Sequence, residues 1–358
     1  MELLKVDPLD PDPATIAHAA RVLRSGGLVA FPTETVYGLG ANALDSAAVA
    51  RIYAAKGRPA WNPVIAHVAT VADARALTSA WSDDAEALAQ AFWPGPLTLV
   101  LPRATIVPDI ATAGLDAIAI RIPNHPVALA LIRAAGRPIA APSANRFTQV
   151  SPTTAQHVVS SLGDRVDVIL DGGSCDVGIE SSVCDLSGAE PTLLRPGMIT
   201  RTQLEIVLGR PVQLARRRAA DAAPASEGEA GDSSVHADNP NTPAQRSPGM
   251  SDRHYAPRAD VWLFETSQRA DIVQALVDRQ HAGTPGRITA LLLSTEALPL
   301  TAGDAIVHMP NEPAAYARQL YAALHAADNA SSAVVIVERP AESEAWAAVL
   351  DRLNRAAR

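Results

Sequence analysis

A tract of roughly thirty residues, from Arg216 to Arg246, divides this chain of 358 residues into two unequal parts. It consists largely of Ala, Asp, Glu, Ser, Asn and Pro, with almost no large apolar side chain. Such a segment buries too little surface to offset the entropy that is lost when it becomes ordered. We therefore predict two domains, residues 1–212 and 258–358, joined by a flexible linker or lid over residues 213–257.

Both parts alternate short apolar runs with Ala-rich helical patterns, and clusters of Pro or Gly separate these segments. This order predicts an α/β fold for each part. In the first part the patterns predict helices over 12–24, 46–55, 83–91, 126–135 and 154–162, and strands over 27–31, 97–101, 117–122, 168–170 and 182–186. In the second part they predict strands over 261–264, 288–293, 305–309 and 333–338, and helices over 269–279, 313–326 and 343–353.

The composition excludes several classes of protein. Hydrophobic residues make up 48% of the chain and charged residues 19%, which is an ordinary globular balance rather than that of a disordered chain. No apolar run reaches the ~18 residues that span a bilayer, and the first residues lack the pattern of a signal peptide, so we expect a cytoplasmic protein. Cys175 and Cys184 are the only cysteines, and without a CxxC pattern they indicate neither zinc nor disulfides. We expect both to be buried.

The net charge of −8 argues against a basic surface over the whole molecule that would bind nucleic acid. Nearly all of the 30 basic residues are arginine, and the only lysines are Lys5 and Lys56. Lys56 and Arg58 flank a glycine at the end of a predicted helix. Two cations in this position suit an anion, although the helix dipole alone also favours basic residues at a helix C-terminus.

A glycine pattern over residues 38–43, Gly-Leu-Gly-Ala-Asn-Ala, follows the first predicted strand and matches the G-x-G-x-x-A form of a dinucleotide-binding loop. That loop is normally followed, about twenty residues on, by an acidic residue that holds a ribose. No acidic residue lies between Asp45 and Asp73. The pattern therefore favours another role for this segment.

Other polar groups interrupt the apolar pattern at predicted loops. Arg121 ends an apolar strand, where a guanidinium can grip a carboxylate with two hydrogen bonds or simply face solvent. The loop over 141–153 holds hydroxyl and amide groups that could bind a ligand or cap the next helix. The glycines within 171–182 could turn backbone N–H groups toward an anion or form a long hairpin. Without a metal-ligand cluster or a paired nucleophile and base, these groups predict nucleotide chemistry by positioning.

Eight motifs lie in order along the chain: PTETVYGLGANA, KGRP…NP…H, WPGPLT, RIPNHP, PSAN, GIESSV, LRPG and SPG…HYAP. Together they resemble the YrdC-like family of threonylcarbamoyl-AMP synthases, in its longer, two-domain form. The resemblance implies a YrdC-like twisted α/β domain with a large concave cavity, then a linker and a small Rossmann-like α/β domain. The linker departs from the family pattern, because Ser251 and Asp252 follow SPGM where a basic residue is typical.

The resemblance also implies an activity. L-Threonine, bicarbonate or CO2, and ATP would give threonylcarbamoyl-AMP and pyrophosphate, with Mg²⁺ accompanying the ATP. This nucleotidyltransferase would supply a downstream tRNA threonylcarbamoyl transferase complex that modifies adenosine 37 of ANN-reading tRNAs, with a weak contact to tRNA or other RNA as a further expectation. An RNA-binding module that uses the cavity is the alternative. Carbamoyl transfer in hydrogenase maturation would require acylphosphatase and zinc-finger modules, for which the chain has neither room nor cysteines.

Carried over position by position, the resemblance assigns two groups of residues and no metal ligand. The ATP-binding group comprises Lys56, Arg58, Asn62, Ala117, Ser143, Asn145, Ser151, Arg195 and Tyr255. Lys56 and Arg58 would also be catalytic, through contacts with the phosphates. The threonine-binding group comprises Thr35, His67, Arg121, Ala141 and Ser181. Arg121 would hold the threonine carboxylate, and Ala117 and Ala141 would contribute backbone groups.

Overall fold

The computed structural model describes residues 1–215 and 254–357. Most of the predicted linker, including the departure at Ser251 and Asp252, lies outside the described residues. Its last residues do not: His254 and Tyr255 are described and buried. Two sheets organise the described chain, one of eleven strands and one of four.

The first part forms the larger sheet and the helices that cover it. Its strands are β1 (Glu2–Lys5), β2 (Val29–Phe31), β3 (Gly38–Asn42), β4 (Ile65–His67), β5 (Leu97–Pro102), β6 (Ala117–Arg121), β7 (Ile139–Ala140), β8 (Val168–Asp171), β9 (Ser182–Asp185), β10 (Thr192–Arg195) and β11 (Gln213–Leu214). Its helices are α1 (Pro13–Arg24), α2 (Ser46–Lys56), α3 (Val71–Ala76), α4 (Asp83–Phe92), α5 (Asp109–Thr112), α6 (Pro126–Ala135), α7 (Ala155–Leu162) and α8 (Arg201–Leu208), with a 3-10 turn over Gly163–Arg165.

The strands of this sheet follow the order β1-β8-β2-β3-β7-β4-β6-β5-β9-β10-β11 and mix parallel with antiparallel pairs. Along β2, Val29 and Phe31 join one core with α1 and α6, whereas Ala30 joins a second core with α2 and α7. This alternation follows from the two-residue period of a strand, and it means that both faces of the sheet are covered.

Strand order and register bring several sequence-distant residues to one edge of the sheet. Strands β4 and β6 are parallel, and their last residues, His67 and Arg121, are paired partners. Strand β5 runs antiparallel to β6 and parallel to β9, so its first residues lie at the same edge, with Leu97 opposite Ser182. The residues that end or precede these strands therefore face one region.

Strand β3 was not predicted, because its sequence contains two glycines. Gly38 and Gly40 lie inside it, where β3 pairs with β2 and β7. A Cβ at Gly40 would lie 2.8 Å from the Phe31 ring and 2.9 Å from Cγ2 of Ile139. Glycine is required here because neighbouring side chains approach the backbone closely. The dinucleotide-loop alternative for residues 38–43 is therefore excluded.

The second part is a smaller α/β unit. Its elements are β12 (Asp260–Phe264), α9 (Arg269–His281), β13 (Arg287–Leu292), β14 (Ala305–His308), α10 (Pro313–Asn329), β15 (Ser332–Glu338) and α11 (Ala347–Ala356), with 3-10 turns over Thr266–Gln268 and Glu344–Trp346. All strand pairs are parallel, in the order β12-β15-β13-β14. The last strand thus lies between the first and second. The doubly wound Rossmann order instead has the first strand between the second and fourth, so the Rossmann-like detail stays a prediction.

The two parts share a hydrophobic core. Val36, Val150 and Ile179 of the first part pack in one cluster with residues of the second. Members from the second part include Tyr316, Leu320, Tyr321, Leu324, Val335, Val337, Trp346 and Leu353. Tyr255, from the end of the predicted linker, belongs to the same cluster. Because this contact is apolar and buried, the second part is a fixed neighbour of the first.

Within the described residues, no helix combines the length and apolar character that crossing a bilayer requires. Both cysteines are buried free thiols, as the sequence predicted. Burial raises the pKa of Cys184 to about 12 and also raises the pKa of Cys175.

Gly178 tests the close contact between the two parts. It has a φ of +82°, and a Cβ there would lie 2.5 Å from Cα of Arg318 and 2.6 Å from the carbonyl oxygen of Ala317. Gly178→Ala should lower the free energy of unfolding by about 2–4 kcal/mol, combining left-handed strain with overpacking. Gly173 is the matched control, because its φ is +85° and nothing lies within 4 Å. Gly173→Ala should cost only about 1 kcal/mol in urea denaturation. Equal losses would contradict a tight interface.

A second prediction concerns pH. His157 stacks on His325 of the second part with ring centroids 3.8 Å apart. Burial, with the charge of His325, lowers the pKa of His157 from 6.5 to about 4. Between these values the unfolded chain binds more protons than the folded one, so the free energy of unfolding falls as pH falls from about 6.5 to 4. The stabilisation is complete above pH 6.5.

His157→Gln should reduce the pH-dependent change in the free energy of unfolding by about 1–2 kcal/mol. This is less than the pKa shift alone implies, because water reaches part of the ring. Urea denaturation at pH 7 and pH 4.5 measures it, with His308→Gln on the exposed face of β14 as the control. An unchanged pH slope in His157→Gln would count against the stacked pair as its source.

Candidate active site

A cavity with about 520 Å³ of empty space opens at the sheet edge where β4 and β6 end. Residues from both predicted groups line it, together with His254 from the end of the predicted linker. The predicted residues among its walls are Thr35, Arg58, His67, Arg121, Ala141, Ser143, Ser181, Arg195 and Tyr255. The structure thus brings together residues that lie as much as 220 positions apart in sequence.

Arg121 is held rigidly in the wall. Its Nε donates to the carbonyl oxygen of Gly95 at 3.1 Å, and its Nη1 donates to Oγ1 of Thr35 at 2.8 Å. Its Nη2 lies 2.6 Å from Oε1 of Glu34 in a buried ion pair, although the angles are not those of a hydrogen bond. The guanidinium predicted to bind a carboxylate is therefore already oriented by the protein. Part of its positive charge is compensated by Glu34, which the sequence analysis did not assign to the site.

His67 is neutral in this setting. Burial, reinforced by the positive charge of Arg121, lowers its pKa to about 3. Its Nδ1 lies 3.3 Å from the carbonyl oxygen of Ile65. A neutral imidazole beside a guanidinium can donate or accept a hydrogen bond without adding charge.

Ser181 connects the two predicted groups. Its hydroxyl lies 2.8 Å from Oγ1 of Thr98. Arg195 donates to it as well, with Nη2 at 3.2 Å from Oγ, and Nε lies 3.1 Å from the Ser181 carbonyl oxygen. Because Ser181 was assigned to threonine and Arg195 to ATP, the two predicted sites are contiguous.

Lys56 ends helix α2, which Asp45 caps through hydrogen bonds to the amides of Ala47 and Ala48. The αL conformation of Gly57 stops the helix there. The buried Nζ of Lys56 donates to the carbonyl oxygens of Ser143 and Asn145. Burial, and then the charge of Arg58, hold its pKa well below the usual value. Lys56 therefore ties the Ser-Ala-Asn loop to the helix and stands behind the cavity wall.

Arg58 does reach the cavity. Its Nε donates to the carbonyl oxygen of Asn62 at 3.0 Å, and its Nη2 donates to Oδ1 of Asn62 and to the carbonyl oxygen of Pro63, both at 2.6 Å. Burial lowers its pKa to about 10, so it stays charged at neutral pH. Asn62 acts through Arg58, and its Nδ2 is buried without a hydrogen-bond partner in the described part of the chain.

Asn145, Ser151 and Ala117, which were also assigned to ATP, do not line the cavity. Asn145 is buried and uses Nδ2 to bond the carbonyl oxygens of Arg146 and Gln149, at 3.0 and 2.7 Å. Ser151 is fully buried and donates to a carboxylate oxygen of Glu180 at 2.5 Å. Ala117 begins β6, at the opposite end of that strand from Arg121.

Glu180 is a cavity residue that the sequence analysis missed as an individual group, although it lies within the quoted GIESSV motif. It lines the cavity and is buried. Burial alone would raise its pKa, but the charges of Arg352 and Arg195 more than offset this, and the pKa of Glu180 is lowered. No sequence signal could have identified Arg352, because it lies 172 positions away in the other part of the chain.

Tyr255 and His254 close the other side of the cavity. Their rings are 4.1 Å apart in an edge-to-face arrangement, and both residues are buried. Tyr255 has a φ of 62°, a strained value for a bulky residue, which is consistent with a position that the surrounding packing imposes. Burial, followed by the charges of Arg58 and Lys56, lowers the pKa of His254 well below 6.5.

Three guanidinium groups, from Arg58, Arg121 and Arg195, thus line one partly open cavity whose only acidic lining residue in the described chain is Glu180. The fold and this site define an α/β protein that can hold an anionic ligand against neutral hydroxyl groups. The net charge of −8 is no obstacle, since a few buried cations fix the local field.

Comparisons with known proteins agree with this description. A family profile described as "Telomere recombination" matches residues 21–197, and one described as "Threonylcarbamoyl-AMP synthase, C-terminal domain" matches residues 199–358. The threonylcarbamoyl-AMP synthase of Pyrococcus abyssi is 40% identical over 343 residues, covering 95% of this chain and 93% of that protein. The threonylcarbamoyl-AMP synthase of Bacillus subtilis is 39% identical over 354 residues, covering 98% and 95%.

A crystal structure of Pyrococcus abyssi Sua5 complexed with L-threonine superposes with a TM-score of 0.85 at 38% identity, covering 100% of this chain and 98% of that one. The chain belongs to the threonylcarbamoyl-AMP synthase family, in the form that carries the C-terminal domain. The resemblance stated from the motifs and the α/β fold class are confirmed. The roles assigned to individual residues stay predictions.

Proposed function

We propose that this protein is an L-threonylcarbamoyladenylate synthase, which joins L-threonine, bicarbonate or CO2, and ATP into threonylcarbamoyl-AMP and pyrophosphate. The observation that carries this proposal is that one cavity is lined both by Arg121, of the predicted threonine-binding group, and by Arg58 and Arg195, of the predicted ATP-binding group. Family membership supports the same activity.

On the threonine side, Arg121 offers a guanidinium that is already oriented by Gly95 and Thr35. Thr35, whose hydroxyl accepts from Arg121, and Ser181 and the neutral His67 line the same cavity. These groups suit a zwitterion with a carboxylate and a hydroxyl side chain. Glu34 keeps the guanidinium compensated within a buried environment, which limits the cost of holding its charge.

On the nucleotide side, Arg58 and Arg195 supply positive charge, and Ser143 lines the same cavity. Lys56 acts from behind by fixing the backbone of Ser143 and Asn145. We assign this side to the phosphates of ATP. Fixed donors and cations in a site that excludes water stabilise charge that develops during phosphoryl transfer.

The chemistry needs no enzyme nucleophile. The threonine ammonium group loses a proton, the resulting amine adds to CO2, and loss of a second proton from the nitrogen leaves a carbamate. A carbamate oxygen then attacks the α-phosphorus of ATP, and the bond from that phosphorus to the bridging oxygen breaks as pyrophosphate leaves. The protein holds the reactants in contact and keeps water from the labile carbamate, which accounts for a cavity without a nucleophile and base pair.

Mg²⁺ is expected to enter as part of the ATP substrate. In residues 1–215 and 254–357 no three His, Cys, Asp or Glu side chains are grouped as a metal site. The two carboxylates near the cavity are engaged, Glu34 with Arg121 and Glu180 with Arg352. The described residues do not fit a metal held by protein ligands, and we assign no step to one. Delivery of the product to a tRNA-modifying complex is likewise part of this proposal.

The activity itself is the first test. Purified protein with ATP should release pyrophosphate only when both threonine and bicarbonate are present, because the attacking group is a carbamate formed from the two. Pyrophosphate release and threonylcarbamoyl-AMP formation would be measured together, with serine in place of threonine as a specificity control. Release that is indifferent to threonine would contradict the proposal. Salt-sensitive RNA binding unaffected by ATP and threonine would instead indicate the RNA-binding alternative, which the comparisons do not support.

The division of the cavity gives a second test. Arg121→Ala should weaken threonine binding by about thirtyfold or more, the scale of losing a buried charged contact, and should change ATP binding by less than about threefold. Lys56→Ala should do the reverse, because it releases the loop on the nucleotide side. Lys5→Ala is the matched control, since Lys5 is the other lysine and is exposed. Calorimetry that shows equal losses for both ligands would remove this division.

A further inference from the structure

We infer that Arg352, carried by α11 of the second part, is a positioning residue of the active site, which holds the nucleotide side of the cavity in place through Glu180. This inference deepens the proposed function and rests on it. It gives the second part of the chain a role in catalysis without a contact to substrate.

The side chain of Arg352 is 0% exposed and reaches into the first part of the chain. Its Nε donates to Oε2 of Glu180 at 2.9 Å, and its Nη2 donates to the Glu180 carbonyl oxygen at 3.2 Å. Its Nη1 donates to the carbonyl oxygen of Pro196 at 2.7 Å and to Oδ2 of Asp351 at 3.0 Å. All three nitrogens are used, so the planar guanidinium has one defined orientation.

Glu180 passes this constraint to the cavity. Its Oε1 accepts a hydrogen bond from Ser151 at 2.5 Å, and its Oε2 accepts one from Tyr321 at 3.0 Å as well as the one from Arg352. Glu180 lines the cavity, and so does the next residue, Ser181. Arg352 therefore fixes a carboxylate that touches a residue assigned to ATP.

Charge adds a second reason. A buried carboxylate beside a site for a triphosphate repels the ligand unless a cation offsets it. Arg352 forms an ion pair with Glu180 at 2.9 Å and is not among the residues that line the cavity. Losing it would leave a negative charge in the wall that faces the phosphates.

The same guanidinium also supports the aromatic side of the cavity. Its central carbon lies 5.4 Å from the centroid of the Tyr255 ring, a cation–π distance. The Tyr321 ring lies 5.9 Å from Tyr255 on the side of the second part. Arg352 thus contacts the two groups, Glu180 and Tyr255, that form the wall between the cavity and the second part.

The test uses the full-length protein and measures KM for ATP and for threonine separately, with kcat and ATP affinity by calorimetry. Arg352→Met should raise the KM and the dissociation constant for ATP at least tenfold and change the KM for threonine less than threefold. Arg352→Lys keeps the charge but lacks the planar guanidinium, so its KM for ATP should lie between those of Arg352→Met and wild type. Arg318→Ala is the control, because Arg318 also crosses the interface but is exposed and donates to the carbonyl oxygen of Asp176, at 2.6 Å, and not to the cavity residue Glu180.

A double-variant cycle then asks whether Arg352 acts through Glu180. Glu180→Gln removes the carboxylate charge, so adding Arg352→Met to it should raise the KM for ATP by no more than threefold further. Equal tenfold effects in both backgrounds would overturn the route through Glu180. An equal rise in both KM values, or a loss of kcat that only matches the loss of folded protein in urea denaturation, would reduce Arg352 to a structural residue.

Failure of this inference differs from failure of the proposed function. If wild-type protein releases no pyrophosphate in a threonine-dependent way, the proposed function fails whatever the variants do. If wild type is active and both Arg352→Met and the milder Arg352→Lys bind ATP as wild type does, only the positioning role fails.

Discussion

Burying several positive charges around one cavity is the constraint on which the rest of this structure depends. A site for a triphosphate needs cations that stay in place before the ligand arrives, and like charges in a low-dielectric wall repel one another. Each cation is therefore held by fixed acceptors. Arg121 uses Gly95, Thr35 and Glu34; Arg58 uses Asn62 and Pro63; Lys56 uses the backbone of Ser143 and Asn145.

The sheet supplies those acceptors at the right place. Because β4 and β6 are parallel and in register, His67 and Arg121 emerge side by side, and the start of β9 brings Ser181 to the same edge. Ala141 follows β7 and lies opposite Ile65, at the start of β4. Glycines at 38 and 40 let β3 pass between β2 and β7 without displacing Phe31 or Ile139. The packing of the strands therefore decides which polar loops share one cavity. The second part completes the wall through a shared apolar core and the Arg352–Glu180 pair.

Long periodic segments were the most predictable. Helix α6 spans the predicted residues, and α1, α2 and α4 differ from prediction by a single residue at one end. The misses have physical causes. Strand β3 has glycines that usually mark turns, and β4 and β7 are too short to show alternation. Helix α8 buries only Leu204 and leaves Ile206 exposed, so it has no clear apolar face. Nine of the fourteen predicted site residues line the cavity, Lys56, Asn62, Asn145 and Ser151 do not line it, and Ala117 lies at the far end of β6 from Arg121.

By itself the sequence determined the family and the α/β class, and it predicted which polar segments meet at the cavity, because ordered motifs and hydrophobic periodicity are local properties of the chain. Only the tertiary structure decided that Lys56 supports a loop instead of lining the cavity, that Glu34 compensates Arg121, and that Arg352 reaches Glu180 across 172 positions. Such pairings arise from strand order and from the packing of one domain on another. They place charges together that have no relation in sequence, and the electrostatics of the site depends on that placement.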